Sequence, residues 1–228
     1  YLVTDEHSEI KKLDKELPVV RDPHSSCYLR QEGKGLLIGI YEKDAKCWAL
    51  DGMDWKFDME LLEPDLDRLE EHLKKGMDRI PQFRDVGIKR IICGPITHTP
   101  DGNFLAGPAP GLRNFWMFCA ASVGIAQGGG AGKYMAQWMT YGDADINMLE
   151  FDPRRYLSWT HKDYAVAKCT DEYKRMYVTP LPNESLEVGR PIKTTSIYKK
   201  LQNQGAMYID AFGWERPKWF AKYGIQEE

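Results

Sequence analysis

No Lys/Arg block longer than two residues occurs along these 228 positions, and the formal net charge is −3. A chain that neutralises a phosphate backbone needs clustered positive charge, so nucleic acid is not an expected partner. No apolar run approaches the ~20 residues that cross a bilayer, and no secretory signal pattern opens the chain. We therefore expect no membrane partner. Cys27, Cys47, Cys93, Cys119 and Cys169 are odd in number and never form a C-x-x-C pair. Reduced thiols are expected, with neither a disulfide frame nor a metal site. No G-x-G-x-x-G follows an early strand, which excludes a self-sufficient nucleotide site. Tyr1-Leu2-Val3-Thr4 already has strand character, and we expect the chain to be an internal piece of a larger protein.

What is present suffices for a core: 43% of residues are hydrophobic and 29% charged, enough for one large domain or two small ones. Leu17–Val20 and Ser26–Gln31 are short apolar or alternating runs, and Gly33-Lys34-Gly35 leads the second into Leu36–Tyr41 as a hairpin. Leu62, Leu66, Leu69, Leu73 and Met77 recur at helical spacing, with Pro64 and Asp65 in the first turn, which predicts an amphipathic helix ending near Gly76–Ile80. Lys89–Cys93 is a predicted strand and Thr99-Pro100-Asp101-Gly102 a turn. Phe104–Ala106 and Phe115–Ala121 are predicted apolar strands, followed by a glycine-rich turn and a helix marked by Tyr134, Met135, Trp138 and Met139 that stops at Gly142. Phe151-Asp152-Pro153-Arg154-Arg155 is expected as a linker, and Thr160 as the cap of a helix to about Met176 with Asp163 in the capping-box position. An extended stretch with Pro180, Pro182 and Pro191, a short helix from Ser196 to Gly205 and a strand at Ala206–Phe212 complete the pattern.

Ala120-Ala121-Ser122-Val123-Gly124-Ile125 and Gln127-Gly128-Gly129-Gly130-Ala131-Gly132 join strand to helix through residues nearly devoid of side chains. Such a junction brings backbone N–H groups and a helix N-terminus close to a ligand with negative character, or else packs a helix tightly on a sheet. A phosphate loop is excluded by spacing, because G-x-x-x-x-G-K-[ST] ending on Gly132-Lys133 would need Gly and Ser or Thr where Gln127 and Tyr134 stand. Tyr28 and Arg30 alternate around Leu29, so both project from one strand face, toward a small anion or toward solvent. His98 precedes the Thr99–Gly102 turn as a site residue or a structural hydrogen-bonder. Cys93 and Cys119 are expected as inert core thiols. Trp214, Trp219 and Phe220 surround an ion pair in Gly213–Phe220, either docking on another module or forming a satellite core.

Gly94-Pro95-Ile96-Thr97-His98-Thr99-Pro100-Asp101-Gly102, Gly107-Pro108, Gly111-Leu112-Arg113-Asn114-Phe115-Trp116, Gly128–Lys133 and Leu149–Tyr156, in this order and spacing, resemble the dimethylglycine and sarcosine dehydrogenase family. Gly189-Arg190-Pro191 and Gly213-Trp214-Glu215-Arg216-Pro217 resemble its central segment, so the likeness covers nearly the whole chain. It implies an α+β / α/β fold. Residues 1–142 would hold a mixed substrate-domain sheet and the last strand-helix unit of an FAD-binding Rossmann-like domain, and residues 143–228 a small α+β central domain. The implied chemistry is FAD-dependent oxidative demethylation of an N-methyl glycine derivative, with an electron-transfer flavoprotein or oxygen as acceptor and tetrahydrofolate in a further module. Implied catalytic residues are Tyr28 and His98. Ala120, Ala121, Ser122, Val123, Gly124 and Ile125 would contact FAD, and Arg30 and Gln127 the substrate. Ala120-Ala121 stands where the family's flavin loop usually has Gly and an aromatic residue. The implied location is the mitochondrial matrix in a eukaryote and the cytoplasm in a bacterium. The same architecture also resembles the regulatory subunit of pyruvate dehydrogenase phosphatase, a binding partner, and an interaction module is a third expectation.

Overall fold

The computed structural model describes residues 1–182 and 184–222, and its contacts divide them into two compact units. The first comprises Tyr1–Ile96 together with the distant segment Thr170–Pro180; the second comprises Thr97–Cys169 and the chain from Leu181 onward.

The first unit is built on five strands, β1 Leu2–Thr4, β2 Val20–Asp22, β3 Cys27–Glu32, β4 Gly35–Ile40 and β5 Ile88–Ile91, in the order β2-β3-β4-β1-β5. All four pairings are antiparallel. The predicted hairpin is present: Glu32 pairs with Gly35 across a two-residue turn in which Gly33 takes φ +59°, a conformation glycine adopts without steric cost. β3 alternates buried and half-buried residues, so one face is core and the other carries Tyr28, Arg30 and Glu32. Leu2, Ile10, Cys27, Leu29, Leu36, Ile38 and Phe83 form that core. A four-residue helix, α1 Ser8–Lys11, was not foreseen; His7 caps it by accepting from the Glu9 N–H at 3.1 Å.

The amphipathic helix begins later than its leucine spacing suggests. A 3-10 turn at Asp67–Leu69 leads into α2 Glu70–Arg79, and Leu66, Leu69, Leu73 and Met77 pack on the core. Leu62 instead donates its N–H to the Cys93 carbonyl at 2.8 Å. Pro64 accounts for the difference, because the residue before a proline is driven out of helical space. Gly76 marks the close approach of α2 to the sheet: a Cβ there would meet Ile38 Cδ1 at 2.5 Å.

The second unit contains the hairpin β6 Leu105–Pro108 and β7 Trp116–Cys119, the helices α3 Gly124–Tyr141, α4 Lys162–Lys174 and α5 Tyr198–Asn203, and the hairpin β8 Ala206–Ala211 and β9 Trp214–Phe220; the last residues of α4 belong to the first unit. Phe104, Ala106, Ala131 and Met148 are its buried apolar centre, with Tyr134, Met135, Trp138 and Phe151 packed around them. Four expectations need correction here. The glycine run is not a turn but the interior of α3, anchored through Ala131 and Trp138. β7 is not a buried strand, and Cys119 is exposed, while Cys93 is only half-buried. Phe151–Arg155 is no linker: Phe151 stacks on Phe104 at 4.5 Å, and Asp152, Pro153 and Arg155 are buried. The cap of α4 is His161 rather than Thr160, its Nδ1 accepting from the Tyr164 N–H at 3.3 Å.

Candidate functional site

Three groups of residues were singled out by the sequence, and the structure assigns them to different units. Tyr28 and Arg30 lie in the first; His98, Ala120–Ile125 and Gln127 lie in the second.

Tyr28 and Arg30 share the half-buried face of β3, as their alternation predicts. Tyr28 is paired directly with Gly39 on β4, and its ring covers that glycine. Burial raises the Tyr28 pKa, so the hydroxyl stays protonated at neutral pH and is available as a donor. Arg30 is already engaged: its guanidinium pairs with Glu32 at 2.5 Å and donates to the Gln31 carbonyl at 3.2 Å. A substrate carboxylate at Arg30 would have to displace Glu32, itself held from the other side by Arg90 at 3.3 Å.

In the second unit the Thr99–Gly102 turn closes with the Gly102 N–H on the Thr99 carbonyl at 3.1 Å, and Gly102 takes φ +75°. Asp101 is its hub. Thr99 Oγ1 and the Asn103 N–H reach Asp101 Oδ1 at 3.0 and 3.1 Å, and the Arg155 guanidinium adds two bonds at 2.7 and 3.0 Å. Arg155 also donates to the carbonyls of Asn103, Phe104 and Asp152. This tie between two motifs separated by about fifty residues carried no local sequence signal. His98, just before the turn, is half-buried, and its carbonyl accepts from Cys169 Sγ at 3.3 Å. Burial lowers its pKa, which keeps the imidazole neutral at physiological pH.

The β7–α3 junction is shorter than expected. Ala120 turns the chain with φ +58°, and four residues later α3 starts at Gly124 after Val123, with no side chain capping its first N–H groups. The first turn of an 18-residue helix thus presents bare backbone donors and the positive end of its dipole. Val123 and Ile125 beside it are exposed, and Gln127 is half-exposed in the same turn. A Cβ added at Gly128, Gly129, Gly130 or Gly132 would meet no atom within 4 Å, so packing inside the chain does not require these glycines. Uncapped donors, apolar flanks and bare backbone suit the edge of a flat ligand with negative character.

Two ion pairs of the second unit are buried or nearly so. Glu215 is buried against Arg190 at 2.7 Å, not against its neighbour Arg216, and the nearly buried Lys168 pairs with Asp210 at 3.1 Å. Trp214 is exposed on β9 and shares the Lys193 ammonium with Trp159, whose ring centroid is 3.9 Å away. Among the described residues no group of three potential metal ligands comes together, and no helix is long and apolar enough to cross a membrane.

Comparison with known proteins identifies the family of the chain. Residues 1–138 match the family described as FAD dependent oxidoreductase, and residues 141–195 match that described as FAD dependent oxidoreductase central domain. The chain is 40% identical to the mitochondrial dimethylglycine dehydrogenase of Homo sapiens over 98% of its own length and 26% of that protein. It is 33% identical to the mitochondrial sarcosine dehydrogenase of Mus musculus, over 96% of the chain and 24% of the relative. The mitochondrial pyruvate dehydrogenase phosphatase regulatory subunit of Mus musculus is 29% identical over 91% of the chain and 24% of its own length. The chain therefore spans about a quarter of the length of these curated relatives. The crystal structure of L-proline dehydrogenase from P. horikoshii shares the fold at a TM-score of 0.51 and 22% identity, over 68% of this chain and 38% of that one.

Proposed function

From a chain that belongs to the FAD-dependent oxidoreductase family, we propose that the whole protein oxidatively demethylates an N-methyl glycine derivative such as dimethylglycine or sarcosine. The observation that carries the reading is the β7–α3 junction, where an uncapped helix N-terminus follows a left-handed turn with open backbone beside it. The likeness to dimethylglycine dehydrogenase along 98% of the chain supports the substrate class. FAD, when bound, would accept the hydride from the N-methyl carbon. What these residues contribute is binding and orientation. Ala120–Ile125 would border the flavin ring with backbone donors. Tyr28 offers a protonated hydroxyl, His98 a neutral imidazole, and Arg30 and Gln127 groups for the substrate's polar end. In domain terms, residues 1–142 would contribute to the oxidoreductase domain and 143–228 to a central domain.

The same proposal takes an electron-transfer flavoprotein or oxygen as electron acceptor, tetrahydrofolate as a one-carbon acceptor, and the matrix as the location in a eukaryote. A regulatory, non-catalytic role is the competing reading, favoured by Ala120-Ala121 at the flavin loop and by the likeness to the phosphatase regulatory subunit. The absorbance spectrum of the whole protein decides between them. A bound flavin that bleaches when dimethylglycine or sarcosine is added without oxygen is the expected result. A flavin-free protein, or a flavin that no N-methyl amine reduces, favours the regulatory reading.

A further inference from the structure

β4 carries a glycine amid leucine and isoleucine, and nothing in its own backbone demands one, since Gly39 is absent from the positions with positive φ. The reason lies across the strand. A Cβ at Gly39 would sit 1.9 Å from Tyr28 Cζ, 2.2 Å from Cε1 and 2.3 Å from the hydroxyl oxygen. The Tyr28 ring therefore lies along β4 on bare backbone, in space that any other residue type would fill.

A wall of three further tyrosines stands beside it. Tyr41, on the same face two residues beyond Gly39, has its ring centroid 6.4 Å from that of Tyr28. Tyr173 at the end of α4 and Tyr177 in the turn beyond it hold Tyr41 between them, each at 5.2 Å, the second edge-on at 84°. Both supports are fixed in turn. The Tyr173 hydroxyl donates to Glu42 at 2.7 Å, and Glu42 pairs with Arg68. The Arg21 guanidinium lies 4.3 Å from the Tyr177 ring centroid and donates to the Met176 carbonyl at 2.7 Å. Burial raises the pKa of all four phenols, so the cluster stays uncharged.

We propose that Gly39 and the Tyr41–Tyr173–Tyr177 wall are positioning residues that set the orientation of the Tyr28 hydroxyl toward the substrate. The segment Thr170–Pro180, far downstream in sequence, would thereby control a group on the substrate strand. This rests on Tyr28 contacting the substrate, as proposed above.

The test is a double-mutant cycle in the whole flavoprotein, following kcat and KM for the N-methyl amine at matched flavin content. Tyr28→Phe keeps the ring and removes the hydroxyl. Gly39→Ala, which displaces the ring, is expected to lower kcat on the order of 10²-fold, and Tyr177→Leu by about tenfold, with little change in KM. In the Tyr28→Phe background both substitutions should have almost no further effect, because they act through a hydroxyl that is gone. Tyr41→Phe, which keeps the wall's ring, should retain the parent kcat. If Tyr177→Leu multiplies its full loss onto Tyr28→Phe, or leaves kcat unchanged beside an impaired Tyr28→Phe, the positioning role is overturned. If Tyr28→Phe itself leaves kcat intact, the reading of Tyr28 falls instead.

Discussion

Ala120 holds a backbone conformation that its own side chain opposes. At φ +58° an L-residue pays about 1–2 kcal/mol that glycine does not. Ala120→Gly should therefore stabilise the chain by about 1 kcal/mol after glycine's greater freedom in the unfolded state is counted. The measurement is a urea midpoint that rises at unchanged slope; an unmoved midpoint would mean that the strain is relieved elsewhere. His98 shows a residue-scale effect of a different kind. Burial depresses its pKa, so the unfolded chain takes up this proton more readily than the folded one. Its contribution is complete above about pH 6.5 and is lost as the pH falls toward the folded value. Stability of the parent chain should accordingly drop faster between about pH 7 and 5 than that of His98→Gln. Parallel losses in urea melts would assign the acid sensitivity to other groups.

At the scale of elements, α3 separates what fold and ligand each ask of a glycine. Gly129 has open space where its Cβ would be, so Gly129→Ala should stabilise the helix by about 1 kcal/mol in thermal melts. Gly124 meets only Ala121, at an ordinary 3.6 Å, so Gly124→Val should fold yet lower flavin occupancy of the whole protein, read from its visible absorbance. Full occupancy would remove Gly124 from the flavin edge. The sequence misled here because five small residues in a row suggest a turn, whereas Ala131, Tyr134, Met135 and Trp138 supply enough packing on Phe104 and Ala106 to override weak propensity. The β3–β4 hairpin, by contrast, was legible because alternation and a two-residue glycine turn are local signals. The Arg155–Asp101 tie was not, since nothing local links a turn to a 3-10 segment about fifty residues on. Arg155→Ala removes a side chain only 2% exposed and leaves Asp101 without its guanidinium. A loss of about 3 kcal/mol is expected by denaturation, less if solvent screens the partly exposed Asp101.

At the scale of the molecule, the candidate site was legible in parts. Tyr28 and Arg30 on one face followed from alternation, but the glycine seat under Tyr28 and the wall beside it are contacts between separate strands and a segment downstream of position 169. Replacing Tyr173 and Tyr177 together by alanine should cost the first unit about 2 kcal/mol, from two lost ring pairs. Hydrogen exchange should show it as weaker protection of β3 and β4 amides while β6 and β7 keep theirs. Uniform loss across both units would mean that the tyrosines stabilise the whole chain, not the sheet they touch.

Because Tyr173 and Tyr177 belong to the first unit yet are encoded after most of the second, the order of synthesis matters. Emerging from a ribosome, all five strands are out once Ile91 has appeared, but Tyr173 follows about eighty positions later. At typical elongation rates the sheet waits roughly 4 to 16 seconds with the flank of Tyr41 uncovered. That interval gives a chaperone time to shield the aromatic flank, and gives two nascent copies time to pair through it.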